Sequence, residues 1–446
     1  MTRMTCQTYN CLSWCTVLRN VCLVFVISST VTCLISYSGM GDDNLGIRVN
    51  KLFYERSNRS RPGDNQVHRP FFWPRNQTTA KGKVNFLQDL TTLMQEIDSN
   101  RAYRDALMKG IQTREGLRTT DWNTDETQYS YDTQFLKYLS CQTSVRKMLA
   151  TGSYFQHRYM PEVPILMWDK HYNAKEYARL SKYQGIYGWN KSTESEIASA
   201  LHALNTSSNE WLFDEASAGP NDGCRRCAVI GNGGILNGSK KGSEIDAHEY
   251  VFRVNVAVTE GHEEDVGTKT SFYCAAFRSL SNSLMSGRPF GFKAPPYQKG
   301  IRYVFFPKTK WAYLYLNAVL SGQEAPNNPV DGRSPPNFPK ALTAEDVKLV
   351  HPDFERYLKF KWVNSSRKYH EVHRPSTGAI MLLLALHTCD EVNVYGFAGS
   401  YEKYSEYYYD TKFRKHVQYA NHDSNAEKEL WITLHNMGII NLYTRQ

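Results

Sequence analysis

The sequence predicts an α/β domain built on a mainly parallel sheet flanked by helices. From about residue 130 onward, short apolar runs rich in β-branched and aromatic residues alternate with helix-like patterns. One of these runs ends in a glycine-rich turn, and a strongly apolar helix stands nearer the end of the chain. Buried strands that alternate with helices are typical of parallel sheets covered on both faces.

The first element of the chain is an apolar segment at 20–37 that is almost free of charge. It is about 18 residues long, which is near the lower limit for a helix that spans a membrane. Arg3 and Arg19 precede it, and this predicts a cytosolic N-terminus with the body in the lumen. We therefore predict a cytosolic tail at 1–19 and a transmembrane signal-anchor at 20–38. A cleaved signal peptide is the alternative.

A polar stretch at 41–82 and a helical pattern at 84–111 follow this segment. The polar stretch predicts an extended stem. The apolar residues of 84–111 fall close to one face, so this helix mediates a homodimer, packs on the domain or stands free. We place the stem at 39–129 and the globular domain at 130–446.

The cysteines and glycosylation sequons point to an oxidising lumen. Ten cysteines are present, and the five in the body are too widely spread for a compact zinc module. Cys224 and Cys227 form a C-x-x-C without a second pair, for which a redox site is an alternative. Six sequons all follow the apolar segment. They are Asn58, Asn76, Asn190, Asn205, Asn237 and Asn364.

The charge balance argues against nucleic acid as a partner. The chain carries 53 Lys and Arg against 44 Asp and Glu, a net charge of +9, without a run of five basic residues. Such a mild excess indicates either a solvated surface or attraction of an anionic substrate.

Four apolar runs in the body predict strands, and a glycine-rich turn at 231–234 follows the first. Backbone N–H groups in such a turn can receive a phosphate or a nucleotide sugar. Leu236 and Ser239 break the dinucleotide and Walker patterns, so a tight connection between elements is the alternative. The predicted strands are 227–231, 250–256, 302–306 and 391–397.

Two later segments carry further candidate groups. A helix at 376–389, with Ser376 or Thr377 near its N-cap, is either a capped core helix or an anion site at a helix N-terminus. A tyrosine-rich stretch at 404–430 contains His422, five positions before Glu427. A histidine with a carboxylate nearby fits a general base.

Together these runs resemble the four sialyl motifs of the animal sialyltransferases. The large motif is similar to CAVIGNGGILNGSKKGSEIDAHEYVFRVN and the later DVGTKTS, and the small motif to RPSTGAIMLLLALHTCDEVNVYGF. The third resembles YYYD at 407–410, and the very small one resembles His422-x-x-x-x-Glu427. All four occur in family order over 130–446. The amino-acid sequence of these motifs is most similar to that of the α-N-acetylgalactosaminide α-2,6-sialyltransferase branch, first or second member.

The resemblance implies a variant of the GT-A fold, with a Rossmann-like sheet between helices. It implies transfer of sialic acid from CMP-sialic acid to the 6-hydroxyl of GalNAc, either bare or as Galβ1-3GalNAc, on mucin-type O-glycoproteins. The reaction would be an inverting displacement without a metal, and the sequence has no Asp-x-Asp triplet. It implies a type II protein of the Golgi membrane. The alternatives are an α2,3 linkage on galactose or a catalytically silent glycan-binding protein.

The resemblance also implies roles for individual residues. His422 would be the base, and Glu427 would orient His422 or support the fold. Tyr407 stands where the third motif usually has a phosphate-binding histidine, and Tyr408 is a second candidate for that contact. The donor pocket would be lined by Asn232, Asn255, Ser376, Thr377 and Gly378.

The family pairing implies disulfides Cys227–Cys389 and Cys141–Cys224, which leaves Cys274 as a buried free thiol. The first closes a loop of roughly 160 residues, which contributes about 4–5 kcal/mol in the chain-entropy model. We expect this bridge to fix the glycine-rich turn beside the Ser-Thr-Gly helix start.

Overall fold

The structure, a computed structural model, describes most of the globular domain. The predicted tail, anchor and stem helix lie outside the described residues, as do Asn58, Asn76 and Asn364. Within the described part, no helix combines the length and apolar character needed to cross a membrane. The described residues are 129–132, 141, 143–152, 154–155, 157–213, 223–324, 327, 338, 342–363, 372–398 and 402–445.

The core of the domain is a sheet of seven strands, and every pair of neighbouring strands is parallel. Their order across the sheet is β5-β4-β3-β2-β1-β6-β7. The strands are β1 Arg226–Ile230, β2 Tyr250–Val254, β3 Phe272–Ala276, β4 Arg302–Phe306, β5 Val347–Leu349, β6 Glu391–Tyr395 and β7 Asn441–Leu442.

Helices cover both faces of this sheet. Ten α-helices lie in the described residues, and a π-helical segment at Leu358–Trp362 continues the eighth. They are α1 Val145–Thr151, α2 Ala174–Leu180, α3 Glu194–His202, α4 Gly242–Asp246, α5 Glu263–Val266, α6 Phe277–Gly287, α7 Lys310–Ser321, α8 Pro352–Tyr357, α9 Thr377–Thr388 and α10 Ser424–Asn436.

The apolar strands alternate between two cores because successive side chains of a strand point to opposite faces. In β1, Cys227 and Val229 pack into the core that contains α9, whereas Ala228 and Ile230 pack into the other. Helix α9 is apolar on every side, as expected for a helix enclosed by protein. These observations confirm the predicted α/β class with a parallel sheet.

The predicted strands correspond to β1, β2, β4 and β6, and the predicted helix corresponds to α9. Ser376 is the N-cap, since its Oγ accepts a hydrogen bond from the backbone N–H of Ala379 at 3.0 Å. Strands β3, β5 and β7 were not predicted from the sequence. Because the strands are parallel, the loops that follow β1, β2, β3, β4 and β6 all emerge at one edge of the sheet.

Both expected disulfides are present, and Cys274 is a buried free thiol. The expected location of Cys227–Cys389 was wrong. Cys227 lies at the start of β1 and Cys389 is the C-cap of α9, whereas the glycine-rich turn and Ser376 lie at the opposite ends. Helix α9 has 12 residues and is therefore about 18 Å long. The bridge thus joins β1 to α9 at the edge of the sheet opposite the glycine-rich turn.

Three of the six sequons lie among the described residues. Asn205 is exposed, and Asn190 is half-buried with its amide donating to the Ser181 carbonyl at 3.3 Å. Asn237 is exposed, and its amide donates to the Tyr408 carbonyl at 3.1 Å. Glycosylation at all six positions stays a prediction.

Candidate active site

A cavity of about 740 Å³ opens at the carboxyl edge of the sheet. This is the edge at which open α/β sheets bind ligands, and the volume is within the range of about 300–1,000 Å³ for small-molecule sites. Of the nine residues predicted to be catalytic or donor-binding, eight line it. They are Asn232, Asn255, Ser376, Thr377, Gly378, Tyr407, His422 and Glu427.

Tyr408 is the predicted site residue that the structure does not bring to the cavity. Its ring is buried, and its hydroxyl donates a hydrogen bond to the Val258 carbonyl at 2.5 Å. Its backbone N–H donates to the Asn232 carbonyl at 3.1 Å. Tyr408 therefore supports the glycine-rich turn, and its assignment as a donor-binding side chain was wrong.

The glycines of the turn at 231–234 are needed because other loops touch its backbone. A Cβ on Gly233 would lie 2.5 Å from the Gly396 carbonyl oxygen, and one on Gly234 would overlap the Ser405 carbonyl. The backbone N–H of Gly231 donates to the Tyr395 carbonyl at 2.7 Å. Close packing, rather than an unusual backbone angle, therefore explains these residues.

Replacement of Gly234 with alanine should destabilise the domain by about 1–3 kcal/mol, since a crowded Cβ must displace backbone. The loop around Ser405 also lines the cavity, so donor affinity should fall with stability. Urea unfolding and donor KM measure the two effects. Gly300→Ala is the comparison for backbone strain alone, because its φ of +95° is left-handed, no atom lies within 4 Å and it does not line the cavity, so its donor KM should not change. Unchanged stability and donor KM in Gly234→Ala would contradict the packing explanation.

Two asparagines extend from the ends of β1 and β2 toward the cavity. The Asn232 side-chain amide donates to the Val254 carbonyl at 3.1 Å, which holds the turn against β2. Asn255 has a left-handed backbone with φ of +53°, and Tyr273 donates to its carbonyl at 2.7 Å. Its side-chain Oδ1 is buried and has no hydrogen-bond partner within the described residues. A buried acceptor left unpaired in this way can receive a ligand hydrogen bond.

The start of α9 is bonded to Glu427 of α10. Glu427 accepts hydrogen bonds from the Ser376 backbone N–H at 2.7 Å and from the Ser376 hydroxyl at 2.8 Å. Burial raises the pKa of Glu427 to about 7 despite these bonds. Of the two roles expected for Glu427, this geometry favours structural support. The Ser376 hydroxyl is also occupied, which leaves Thr377 and Gly378 as the more open parts of the helix start.

The His422 ring is held by a backbone carbonyl rather than by Glu427. Its Nδ1 lies 2.8 Å from the Arg374 carbonyl, a bond in which the neutral ring donates and keeps a lone pair on Nε2. The amide of Asn421 lies 3.2 Å from Nε2. Burial and the nearby charges of Lys308 and Arg374 lower the pKa of His422 to about 4. The ring is therefore neutral near pH 7 and able to accept a proton.

Tyr407 forms part of an aromatic wall of the cavity. Its ring stacks on Tyr409 with centroids 5.1 Å apart, and Arg414 lies 5.8 Å from its centroid. Burial, with the neighbouring Glu406 and Tyr419 side chains, raises the pKa of Tyr407. Its hydroxyl therefore stays protonated near pH 7 and can donate a hydrogen bond.

Positive charge dominates the ionisable side chains of the cavity. Among the described residues the lining contains five Lys or Arg and two Glu, of which Glu427 is already bonded to Ser376. Burial lowers the pKa of Lys308, and the carboxyl of Glu355 nearby opposes this. These cations were not predicted from the sequence, although Lys308 lies just beyond the carboxyl end of β4. They are Arg278, Lys308, Arg374, Arg414 and Lys428.

Similarity to known proteins agrees with this site. The model of glycosyltransferase family 29 (sialyltransferase) matches residues 166–439. The chain is 42% identical over 312 residues to α-N-acetylgalactosaminide α-2,6-sialyltransferase 2 of Mus musculus, covering 68% of this chain and 83% of that protein. It is 37% identical over 347 residues to α-N-acetylgalactosaminide α-2,6-sialyltransferase 1 of Gallus gallus, covering 75% and 61%.

The fold is also similar to that of a solved mammalian sialyltransferase. The TM-score is 0.51 at 23% identity, and the match covers 68% of this chain and 98% of the other. The family match and the relatives confirm the resemblance seen in the four sequence motifs. This chain is therefore a glycosyltransferase and belongs to family 29, the sialyltransferases.

Proposed function

We propose that this protein transfers sialic acid from CMP-sialic acid to the 6-hydroxyl of GalNAc in mucin-type O-glycans. The observation that carries the proposal is His422, which is neutral, held through Nδ1 and placed in a cationic cavity at the carboxyl edge of the sheet. The α-2,6 linkage and the GalNAc acceptor are supported by similarity to relatives named for that activity.

The charge of the cavity suits this donor. CMP-sialic acid carries a carboxylate and a phosphate on the carbon that reacts, and both are negative at lumenal pH. Lys308 and Arg374 line the same cavity as His422 and provide two positive charges near the base. Fixed positive groups stabilise the negative charge that develops on a departing phosphate. We therefore assign leaving-group stabilisation to these cations, assisted by the Tyr407 hydroxyl.

The reaction follows as a single displacement. The acceptor oxygen attacks C2 of sialic acid from the face opposite the phosphate, and the bond between C2 and the phosphate oxygen breaks. Nε2 of His422 accepts the proton of the acceptor hydroxyl as the new bond forms. CMP leaves with the bonding electron pair, and the configuration at C2 is inverted. The transfer requires no covalent intermediate on the enzyme, and we propose that it proceeds without a metal ion.

Asn255 is assigned to the donor because its buried Oδ1 is unpaired within the described residues. Asn255→Gly should raise donor KM about tenfold, since a lost hydrogen bond of about 1–1.5 kcal/mol corresponds to that change. Glycine also accepts the left-handed backbone, so stability should change little. Asn255→Asp keeps the shape but should raise KM further by repelling the anionic donor. Unchanged donor KM in both variants would contradict the assignment.

The location of the protein in the cell is part of the proposal. We propose a single-pass type II protein of the Golgi membrane, anchored by residues 20–38, with the domain in the lumen. The two disulfides of the described domain support an oxidising compartment. Fluorescence microscopy of the full chain and of a variant without residues 1–38 tests the anchor. The homodimer through 84–111 is tested by sedimentation of chains with and without the stem.

Linkage analysis of the product is the decisive test of the function. The lumenal chain is incubated with CMP-sialic acid and glycopeptides that carry GalNAc or Galβ1-3GalNAc, with and without EDTA. The expected product carries sialic acid on O6 of GalNAc, and EDTA should leave the rate unchanged. Sialic acid on O3 of galactose would support the α2,3 alternative. Donor binding without product on any acceptor would support a silent binding protein.

A further inference from the structure

The extended segment 411–420 forms one rim of the cavity and leads directly to His422. Each of its residues except His416 is exposed, and the segment belongs to no helix or strand. Arg414, His416, Val417 and Tyr419 line the cavity, so the segment borders the site, while its remaining residues are exposed to solvent. A molecule lying along this segment would pass close to the base.

Hydrogen bonds hold this segment in place. The backbone N–H of Arg414 donates to the Ser405 hydroxyl at 2.9 Å, and the Arg414 carbonyl accepts from the Glu406 N–H at 2.9 Å. At its end, the Tyr419 carbonyl accepts from the His422 N–H at 3.0 Å. The rim is thus hydrogen-bonded to Ser405 and Glu406 at one end and to the backbone of His422 at the other.

The rim combines positive charge with exposed apolar surface. Residues 411–422 contain Lys412, Arg414 and Lys415 but no Asp or Glu. Arg414 pairs with Asp410 at 3.7 Å, whereas Lys412 and Lys415 make no ion pair within the described part of the chain. Three large apolar side chains of the rim are exposed to solvent. They are Phe413 at 62%, Val417 at 48% and Tyr419 at 51%.

The positive charge of Lys412 and Lys415 on this rim is not required to bind the donor. The cations near His422, Lys308 and Arg374, lie inside the cavity, where the carboxylate and phosphate of the donor react. Lys412 and Lys415 do not line it. Unpaired positive charge beside exposed aromatic and aliphatic groups fits an acidic polypeptide, because such surfaces attract opposite charge and bury apolar contacts.

We propose that segment 411–420 is a docking rim for the acceptor polypeptide and selects acceptors with Asp or Glu near the glycosylated residue. The inference rests on the proposed function, since it concerns the peptide that carries the GalNAc. An extended chain rises about 3.3 Å per residue, so Lys412 lies within roughly 33 Å of His422 along the rim. Acidic residues within about ten positions of the glycosylated Ser or Thr are therefore able to reach it.

The test compares three acceptors with the lumenal chain at low and high salt. They are an aryl α-GalNAc glycoside, a GalNAc-peptide flanked by Asp and Glu, and the same peptide flanked by Lys. The variant is Lys412→Glu with Lys415→Glu. The matched control is Lys175→Glu with Lys182→Glu, two exposed lysines that do not line the cavity.

The wild type should prefer the acidic peptide by about threefold to tenfold in kcat/KM, as expected for a few exposed charge pairs. High salt should reduce this preference, because it screens exposed charges. The rim variant should reverse the preference and keep wild-type turnover of the aryl glycoside, and the control variant should match the wild type.

Equal kcat/KM for the two peptides, or a preference that persists in the rim variant, would overturn the inference. Sedimentation with anionic vesicles distinguishes a lipid partner. Vesicle binding that the rim variant loses, without any peptide preference in the wild type, would assign the rim to a membrane surface instead. Lack of turnover with all three acceptors would count against the proposed function rather than against the rim.

Discussion

Replacement of His422 with alanine is expected to lower kcat by roughly 10²–10⁴-fold, the usual contribution of a general base. The imidazole of His422 is neutral. Its Nδ1 is bonded to the Arg374 carbonyl, so Nε2 is the nitrogen that can accept a proton. Without it, the acceptor proton must pass to solvent while the new bond forms. Single-turnover rates with saturating donor and acceptor measure the loss directly.

A structural role for His422 would give a different result. Added imidazole should restore part of the activity of His422→Ala, and the melting temperature should stay close to that of the wild type. His202→Ala is the matched control, because this ring is exposed on α3 with 61% of its side chain accessible. Near-normal turnover of His422→Ala, or a loss without rescue by imidazole, would sink the assignment as base.

The pH profile follows from the pKa of about 4 for His422. Protonation removes the base, and burial has moved that event below the ordinary value of about 6.5 for histidine. For the free enzyme, His422 should therefore add no acid limb to kcat/KM for the donor between pH 8 and about 5, and protonation of Glu427, whose pKa is about 7, is the change expected in this range. The bound donor adds negative charge and favours the imidazolium, so the acid limb of kcat should lie at higher pH. A limb of kcat/KM near 6.5 that persists in Glu427→Gln would contradict the burial of this ring.

Replacing both Cys227 and Cys389 with serine is expected to lower the free energy of unfolding by about 4–5 kcal/mol. The bridge spans 162 residues, and so large a loss is comparable with the whole stability of many domains, about 5–15 kcal/mol. Urea unfolding at pH 7 measures the change. The bond joins the start of β1 to the end of α9, so the effect acts on the unfolded chain rather than on the cavity.

The remaining folded molecules should therefore keep the wild-type donor KM. The matched variant replaces Cys141 and Cys224, whose bridge spans 83 residues. Its loss should be smaller by about 0.6 kcal/mol in the chain-entropy model. A higher donor KM in folded Cys227→Ser/Cys389→Ser protein would show that the bridge shapes the cavity after all.

Much of the fold was predictable because its central strands are buried on both faces. β1, β2, β4 and β6 are five-residue strands rich in apolar and β-branched residues, and this composition predicts a strand even though each contains one or two charged or polar residues. β3 is also an apolar run, FYCAA, but it was not recognised as a strand from the sequence, whereas β5 and β7 have only three and two residues. Strands so short are defined by their neighbours, which local sequence does not reveal.

The site was predictable where a residue type carries its own chemistry. His422 and Asn255 line the cavity as expected, and the glycine-rich turn forms part of its wall. The role of Glu427 depended on which neighbour its carboxyl meets, and that neighbour is Ser376, 51 residues away in sequence. Lys308 was missed for a related reason: a lysine becomes informative only when the fold buries it beside the base.

The order of the strands in the sheet has a consequence for biosynthesis. β1 pairs with β6, whose residues are translated some 160 positions later. Cys227 likewise pairs with Cys389, which is 162 positions further along the chain. A nascent chain that has emerged as far as β4 lacks α9, the helix that covers one face of the central strands. Contacts this distant in sequence form slowly, since the intervening chain must first be closed into a loop. The unfinished domain must therefore be protected from aggregation and from premature pairing of its thiols until nearly the whole chain has been made.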